Sequence, residues 1–206
     1  MNSPVNRPLY LSLRFALKTL IRTLLSLTGR FSVAGKEYLP KRRRACMLIA
    51  NHAAFIDSLY IIAALRPRFT ICGAKPKYFK HPLVRILFRT ANILKVSDRD
   101  QFIQDCRTLL AAGEIILIYP EMGRNYDSMG EFSTWAAEVA LHAGAEVIPL
   151  YIYGTARDDE KDSVVLAAGP AISPSGTPES LTAAFREAIL ACRERIIGTI
   201  TKETVS

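Results

Sequence analysis

Two short apolar runs constrain this chain most: Cys46-Met47-Leu48-Ile49-Ala50 and Ile115-Ile116-Leu117-Ile118-Tyr119. Each is too short for a buried helix and apolar on both of its alternating faces. Each therefore reads as a strand buried from two sides. Residues 31–34, 69–73, 93–96 and 146–152 read as further strands, and 164–167 as an edge strand. Helical patterns lie between them. One begins near Asp57 and runs through Leu65, and a short one opens at His81-Pro82. One is capped by Ser97, with Asp100 three residues on, and repeats Phe102, Ile103, Cys106, Leu109 and Leu110 at helical spacing before Gly113. Another spans Trp135 to His142 and closes at Gly144. The last opens at Thr177-Pro178-Glu179. Strands alternating with helices give an α/β fold: a mainly parallel mixed sheet flanked by helices, with an N-terminal amphipathic helix.

The 206 residues divide into a helix over 1–30 and a single domain over 31–206. Half of the residues are hydrophobic, too many for a disordered chain. The net charge of +8 points to an anionic partner, whether nucleic acid, lipid or a phosphorylated substrate. No basic-aromatic stacking pattern or nucleic-acid motif accompanies it. Cys46, Cys72, Cys106 and Cys192 sit singly in apolar surroundings, without metal-ligand spacing, and read as reduced core thiols of a cytosolic chain. No metal site is expected. No run of 18 uncharged apolar residues is present, so a spanning helix is not expected.

Residues 8–28 read as one helix between Pro8 and Gly29. Arg14, Lys18, Arg22 and Ser26 follow one another at i+4, and leucines cover much of the rest. The charges interrupt the apolar stretch, which a secretory signal does not allow. Two readings stand: a basic amphipathic helix in a membrane interface, or a helix packed on the domain with its basic face in water. The run Lys41-Arg42-Arg43-Arg44 is either a solvated turn or a second contact for lipid phosphates.

Chemistry concentrates at Asn51-His52-Ala53-Ala54-Phe55-Ile56-Asp57, where the first buried strand turns into a helix. A turn over five positions brings the Asp57 carboxylate to the His52 imidazole. That pairing makes His52 a general base oriented by an acid. The plain alternative is a loop histidine and a capping aspartate.

Asn-His-x4-Asp after a hydrophobic strand resembles the first motif of the glycerolipid acyltransferase family, which includes 1-acylglycerol-3-phosphate acyltransferases. Three more stretches resemble that family in order. The segment from Lys75 through Pro82 to Arg99 is similar to its second block. Tyr119-Pro120-Glu121-Met122-Gly123-Arg124-Asn125 is similar to its third, usually Phe-Pro-Glu-Gly-Thr-Arg-Ser. Val147-Ile148-Pro149-Leu150 is similar to its fourth. The likeness covers roughly residues 31–172.

The resemblance implies transfer of a fatty acyl group from a thioester, on coenzyme A or acyl-carrier protein, to a hydroxyl of a lysophospholipid or related acceptor. It implies no cofactor and a peripheral place on an anionic membrane at the cytoplasmic face. His52 would take the acceptor proton, with Asp57 holding the ring. Arg99, Glu121, Gly123 and Arg124 would bind the acceptor, with Glu121 orienting Arg124 or bonding a hydroxyl. Asn51 and Lys75 are further contacts for donor or acceptor. His81 and His142 fall outside the motifs, and Ser58 reads as a helix-start serine; no Gly-x-Ser-x-Gly nucleophile elbow is present. Met122 departs from the family's Gly, which makes Gly123 the expected flexible position and puts a glycerol phosphate acceptor in doubt. Other classes remain open: a lipid-binding protein of the same fold with little turnover, an acyl-ester hydrolase, and a nucleic-acid module suggested by charge alone.

Overall fold

A computed structural model describes residues 12, 15–16, 18–23, 31–40, 45–65, 70–82, 85, 88, 93–125, 129–155 and 163–204. The strands are β1 (Phe31–Ala34), β2 (Cys46–Ala50), β3 (Thr70–Ala74), β4 (Leu94–Lys95), β5 (Ile115–Ile118), β6 (Val147–Tyr153) and β7 (Val164–Ala168). The helices are α1 (Asp57–Ala64), α2 (Arg99–Ala111), α3 (Trp135–Ala143) and α4 (Pro178–Thr204), with 3-10 turns at Lys36–Tyr38 and Pro76–Lys80. The seven strands form one sheet in the order β1-β7-β6-β2-β5-β3-β4. Only β6 and β7 pair antiparallel. The sheet is thus mixed and mainly parallel, as the sequence implies.

β2 and β5 lie at the centre, and every residue of both is buried. Met47, Ile49, Ile116 and Ile118 pack with Phe102, Ile103, Val139 and Phe185 of α2, α3 and α4. Cys46, Leu48, Ile115 and Leu117 face the other way, onto Ile61 and Leu65 of the α1 side. A helix on each face explains why these strands alternate nothing polar. All four cysteines are free and buried. Among the described residues no helix is long and apolar enough to cross a membrane, and no group of His, Cys, Asp or Glu is arranged to hold a metal ion.

Three expectations need correction. β7 is not an edge strand: it lies between β1 and β6, and β1 and β4 form the edges. β7 returns antiparallel beside β6 and pairs β1 on its other side, which its short apolar sequence does not encode. Asp98, not Ser97, caps α2, its side chain accepting the Gln101 N–H at 2.9 Å. The N-terminal helix also faces the opposite way from its charge pattern. Lys18 and Ile21 are buried, and Ile21 packs on Ile62 and Ala63 of α1. Ser12, Phe15, Ala16, Thr19, Leu20 and Thr23 form the outward stripe, which is uncharged. A lysine can bury its long stem against apolar neighbours, so periodicity of charge alone misassigned the faces. Arg14, Pro8, Gly29 and the 41–44 run lie outside the described residues, as do Leu83, Ile86 and Leu87 of the expected helix at Pro82.

Candidate active site

β2, β5 and β3 deliver their loops to one edge of the sheet at one height. Leu48 is level with Leu117, and Leu117 with Cys72. Two residues further on, the chain leaves the sheet at Ala50, Tyr119 and Ala74. With about 4.8 Å between strands, these three exits fall within roughly 10 Å. The ends of parallel strands are where α/β folds place their ligands.

His52 stands on the first exit. Its Nδ1 lies 2.9 Å from Asp57 Oδ2. The same oxygen accepts the backbone N–H groups of Ala53 at 2.8 Å and Ala54 at 2.9 Å. Asp57 is fully buried, and Oδ1 has no hydrogen-bond partner among the described residues. An oxygen that takes two backbone donors is a carboxylate acceptor, so Nδ1 carries the proton. Nε2 is left with the lone pair that a base needs. The side chain of His52 is 19% exposed, enough to meet a substrate.

The loop after β5 clamps this histidine by its backbone. His52 N–H donates to Glu121 Oε1 at 3.0 Å, and Asn125 N–H donates to the His52 carbonyl at 2.8 Å. Glu121 Oε2 accepts from Asn125 Nδ2 and from the Gly130 N–H at 2.7 Å. Glu121 therefore spends both oxygens inside the protein. It neither orients Arg124 nor presents an acceptor-binding group. Asn51 is likewise consumed: its amide pairs with both backbone groups of Ile152, at 3.0 and 2.8 Å. That pairing extends β2 onto β6 by a side chain. Asn51 is a stitch rather than a substrate contact.

Arg124 is exposed and makes no hydrogen bond or ion pair with the described residues. It sits one residue before the Asn125 bond to His52, so its backbone lies beside that of the histidine. Lys75 is exposed where the chain leaves β3, at the start of the Pro76–Lys80 turn. Arg99 is not part of this group. It bonds Glu138 of α3 at 2.5 Å. Glu138 is buried, which alone would raise its carboxyl; the bonds from Arg99 and Thr134 outweigh burial and lower it.

Met122 itself adopts the left-handed backbone, with φ of 52°. Gly123 has no positive φ, and a Cβ there would meet only Glu121 O at 3.8 Å. The turn closed by Met122 N–H on Tyr119 O therefore keeps its strained position where the resemblance places a glycine. Gly123 does not take that position over.

Tyr119 is a member of the site that sequence reading passed over. Its ring stacks on His52 with centroids 4.0 Å apart and planes 16° from parallel. Its hydroxyl lies 2.8 Å from Ser58 Oγ. Burial pushes the phenol well above its usual value, and the Asp57 carboxylate adds to that, so it stays protonated. Ser58 is engaged by Tyr119 and serves as a support. Burial also pushes the Cys72 thiol up to about 12, so it is not a thiolate nucleophile. The one signal for Tyr119 was its place in the third motif, where the usual residue is also aromatic.

A family model described as Acyltransferase matches residues 30–153. The chain belongs to this family. It is 30% identical over 174 residues to a 1-acyl-sn-glycerol-3-phosphate acyltransferase of Chlamydomonas reinhardtii, covering 78% of this chain and 52% of that one. It is 25% identical over 134 residues to a chloroplastic 1-acyl-sn-glycerol-3-phosphate acyltransferase of Arabidopsis thaliana, covering 62% of this chain and 37% of that one. The chain thus spans about half the length, or less, of these relatives. The crystal structure of the 1-acyl-sn-glycerophosphate acyltransferase PlsC from Thermotoga maritima superimposes with a TM-score of 0.74 over 93% of this chain and 84% of that one, at 19% identity. At that identity the likeness is one of fold.

Proposed function

We propose that this acyltransferase-family chain moves a fatty acyl group from a thioester to a hydroxyl of a lysophospholipid. The observation that carries the reading is the His52–Asp57 pair, with one carboxylate oxygen fixing Nδ1 and leaving Nε2 free. A thioester is already activated, so no covalent enzyme intermediate is needed. The difficult step is to make the acceptor hydroxyl nucleophilic. His52 Nε2 removes the hydroxyl proton as the oxygen attacks the thioester carbonyl. The carbon–sulfur bond then breaks, and the thiol leaves with the proton that His52 held. Asp57 stabilises the imidazolium in between, and the Tyr119 ring lies along its face.

Arg124, exposed and without a partner among the described residues, is the group for the acceptor's phosphate. Lysophosphatidate is the acceptor of first choice, because the relatives are named for it. The donor is an acyl-CoA or an acyl-carrier protein, and the reaction takes place at an anionic membrane surface. The uncharged outward stripe at Phe15, Ala16 and Leu20 supports that location better than the buried Lys18 does.

The test is incubation of the purified chain with acyl-CoA and with acyl-carrier protein, against a panel of lysolipids with and without phosphate, with products read by mass. Acceptor-dependent formation of a diacyl product is expected. Thioester consumed at the same rate without any acceptor would make the chain a hydrolase. No consumption with retained lipid binding would make it a lipid-binding protein.

A further inference from the structure

The two residues before Asp57 are turned outward. Phe55 is 60% exposed and Ile56 41%, although both are large and apolar. They are held there by design of the turn: Asp57 accepts the N–H groups of Ala53 and Ala54, so the loop cannot fold over its own side chains. The exit from β3, on the far side of β5, has the complementary character. Lys75, Lys77 and Lys80 are exposed along the Pro76–Lys80 turn, and Lys95 is exposed on the adjoining β4. No Asp or Glu occurs between Asp57 and Asp98. The acids nearest to His52 in the fold, Asp57 and Glu121, are bonded inward.

We infer that this edge of the sheet is a bilayer contact built into the domain itself. Phe55 and Ile56 enter the boundary between headgroups and acyl chains, and the lysines of the β3 exit lie against lipid phosphates. Two side chains expose far too little area for a protein interface, which needs about 1,000 Å². They suit shallow insertion into lipid, where apolar side chains flanked by lysine on an anionic surface are the working combination. The register across β2, β5 and β3 brings the strand ends that lead into the wedge and into the lysine turn out on the same side of the sheet, and His52 stands on the first of them. The base thereby meets an acceptor hydroxyl at headgroup depth without the lipid leaving the membrane. The inference rests on the acyltransferase reading only for that last consequence; the contact itself does not need it.

The full chain and its Phe55→Ser/Ile56→Ser double variant are compared by sedimentation with vesicles of equimolar phosphatidylglycerol and phosphatidylcholine, and with phosphatidylcholine alone, at low and high salt. The double variant is expected to bind anionic vesicles at least about tenfold more weakly, with its salt dependence kept. Lys77→Glu/Lys80→Glu is expected to weaken binding mainly at low salt. The Phe55→Ser/Ile56→Ser variant should turn over a short-chain thioester and a water-soluble acceptor like the wild type when no vesicles are present. Unchanged vesicle binding overturns the inference. Lost turnover with soluble substrates also overturns it, because the pair would then line the substrate pocket. A wild-type dimer that the double variant abolishes would assign the wedge to a second copy of the chain. Absent soluble turnover in the wild type counts against the acyltransferase reading alone, and vesicle binding still decides the contact.

Discussion

Glu121 holds His52 by its backbone: Oε1 accepts the His52 N–H at 3.0 Å, while Oε2 ties down Asn125 and the Gly130 N–H. One carboxylate thus joins the loops of β2 and β5 and fixes the height of the imidazole. Glu121→Ala would leave those donors without their acceptor. The expected outcome is a loss of about 1–3 kcal/mol of stability in chemical denaturation, with a lower kcat and little change in KM for either substrate. A raised acceptor KM with unaltered stability would return Glu121 to acceptor binding.

Tyr119 lies 4.0 Å from the His52 ring, nearly parallel. An aromatic face beside an imidazolium stabilises it by about 0.5–2 kcal/mol. Tyr119→Phe keeps the face and loses only the bond to Ser58, so kcat should stay within a few-fold. Tyr119→Leu should lower kcat about tenfold, because the imidazolium formed during transfer loses a partner. Equal activity of the two variants would show that the ring fills space and nothing more.

Met122 holds φ of 52°, a left-handed conformation that costs a side-chain-bearing residue roughly 1–2 kcal/mol. Met122→Gly should therefore stabilise the protein by about 1 kcal/mol, raising Tm by roughly 2–4 °C for a chain of this size. The same change removes an apolar side chain from the loop that carries Arg124. Activity on glycerol phosphate acceptors should rise relative to other hydroxyl acceptors. An unaltered Tm and acceptor profile would show that the strain is relieved elsewhere and that the side chain does not touch the acceptor.

Arg99 bonds the buried Glu138, which is held below its ordinary value of 4.5. A carboxyl with a depressed folded value contributes stability above its unfolded value and loses it as pH falls through the folded value. Arg99→Ala should lower Tm clearly at neutral pH, and the gap from wild type should close below about pH 4.5. Acceptor KM should hardly move. A large rise in acceptor KM with normal Tm would restore Arg99 to the substrate site.

The strands and their buried faces were legible because a two-sided core leaves an uninterrupted apolar run, as in β2 and β5. The His52–Asp57 contact was legible because five residues around a strand-to-helix turn have few alternatives. What escaped was set by partners distant in sequence. Asn51 reads as a polar residue beside a catalytic histidine, yet its amide is matched by Ile152, 101 positions away. Glu121 and Arg99 read as acceptor-binding groups because the partners His52 and Glu138 lie far from them in sequence. The faces of the N-terminal helix were inverted because Lys18 carries an apolar stem as well as a charge. β7 reads as an edge because neither its length nor its composition states that β1 pairs beyond it.

The central claim is that His52 is the base for acyl transfer, and His52→Ala tests it most directly. Transfer rates of wild type and variant are measured by mass of the diacyl product under saturating thioester and lysophosphatidate, with circular dichroism and Tm showing that both are folded. Loss of a general base costs about a hundredfold to ten-thousandfold, and a fall in that range is the expected result. A folded His52→Ala variant with a transfer rate within a few-fold of wild type would contradict the account.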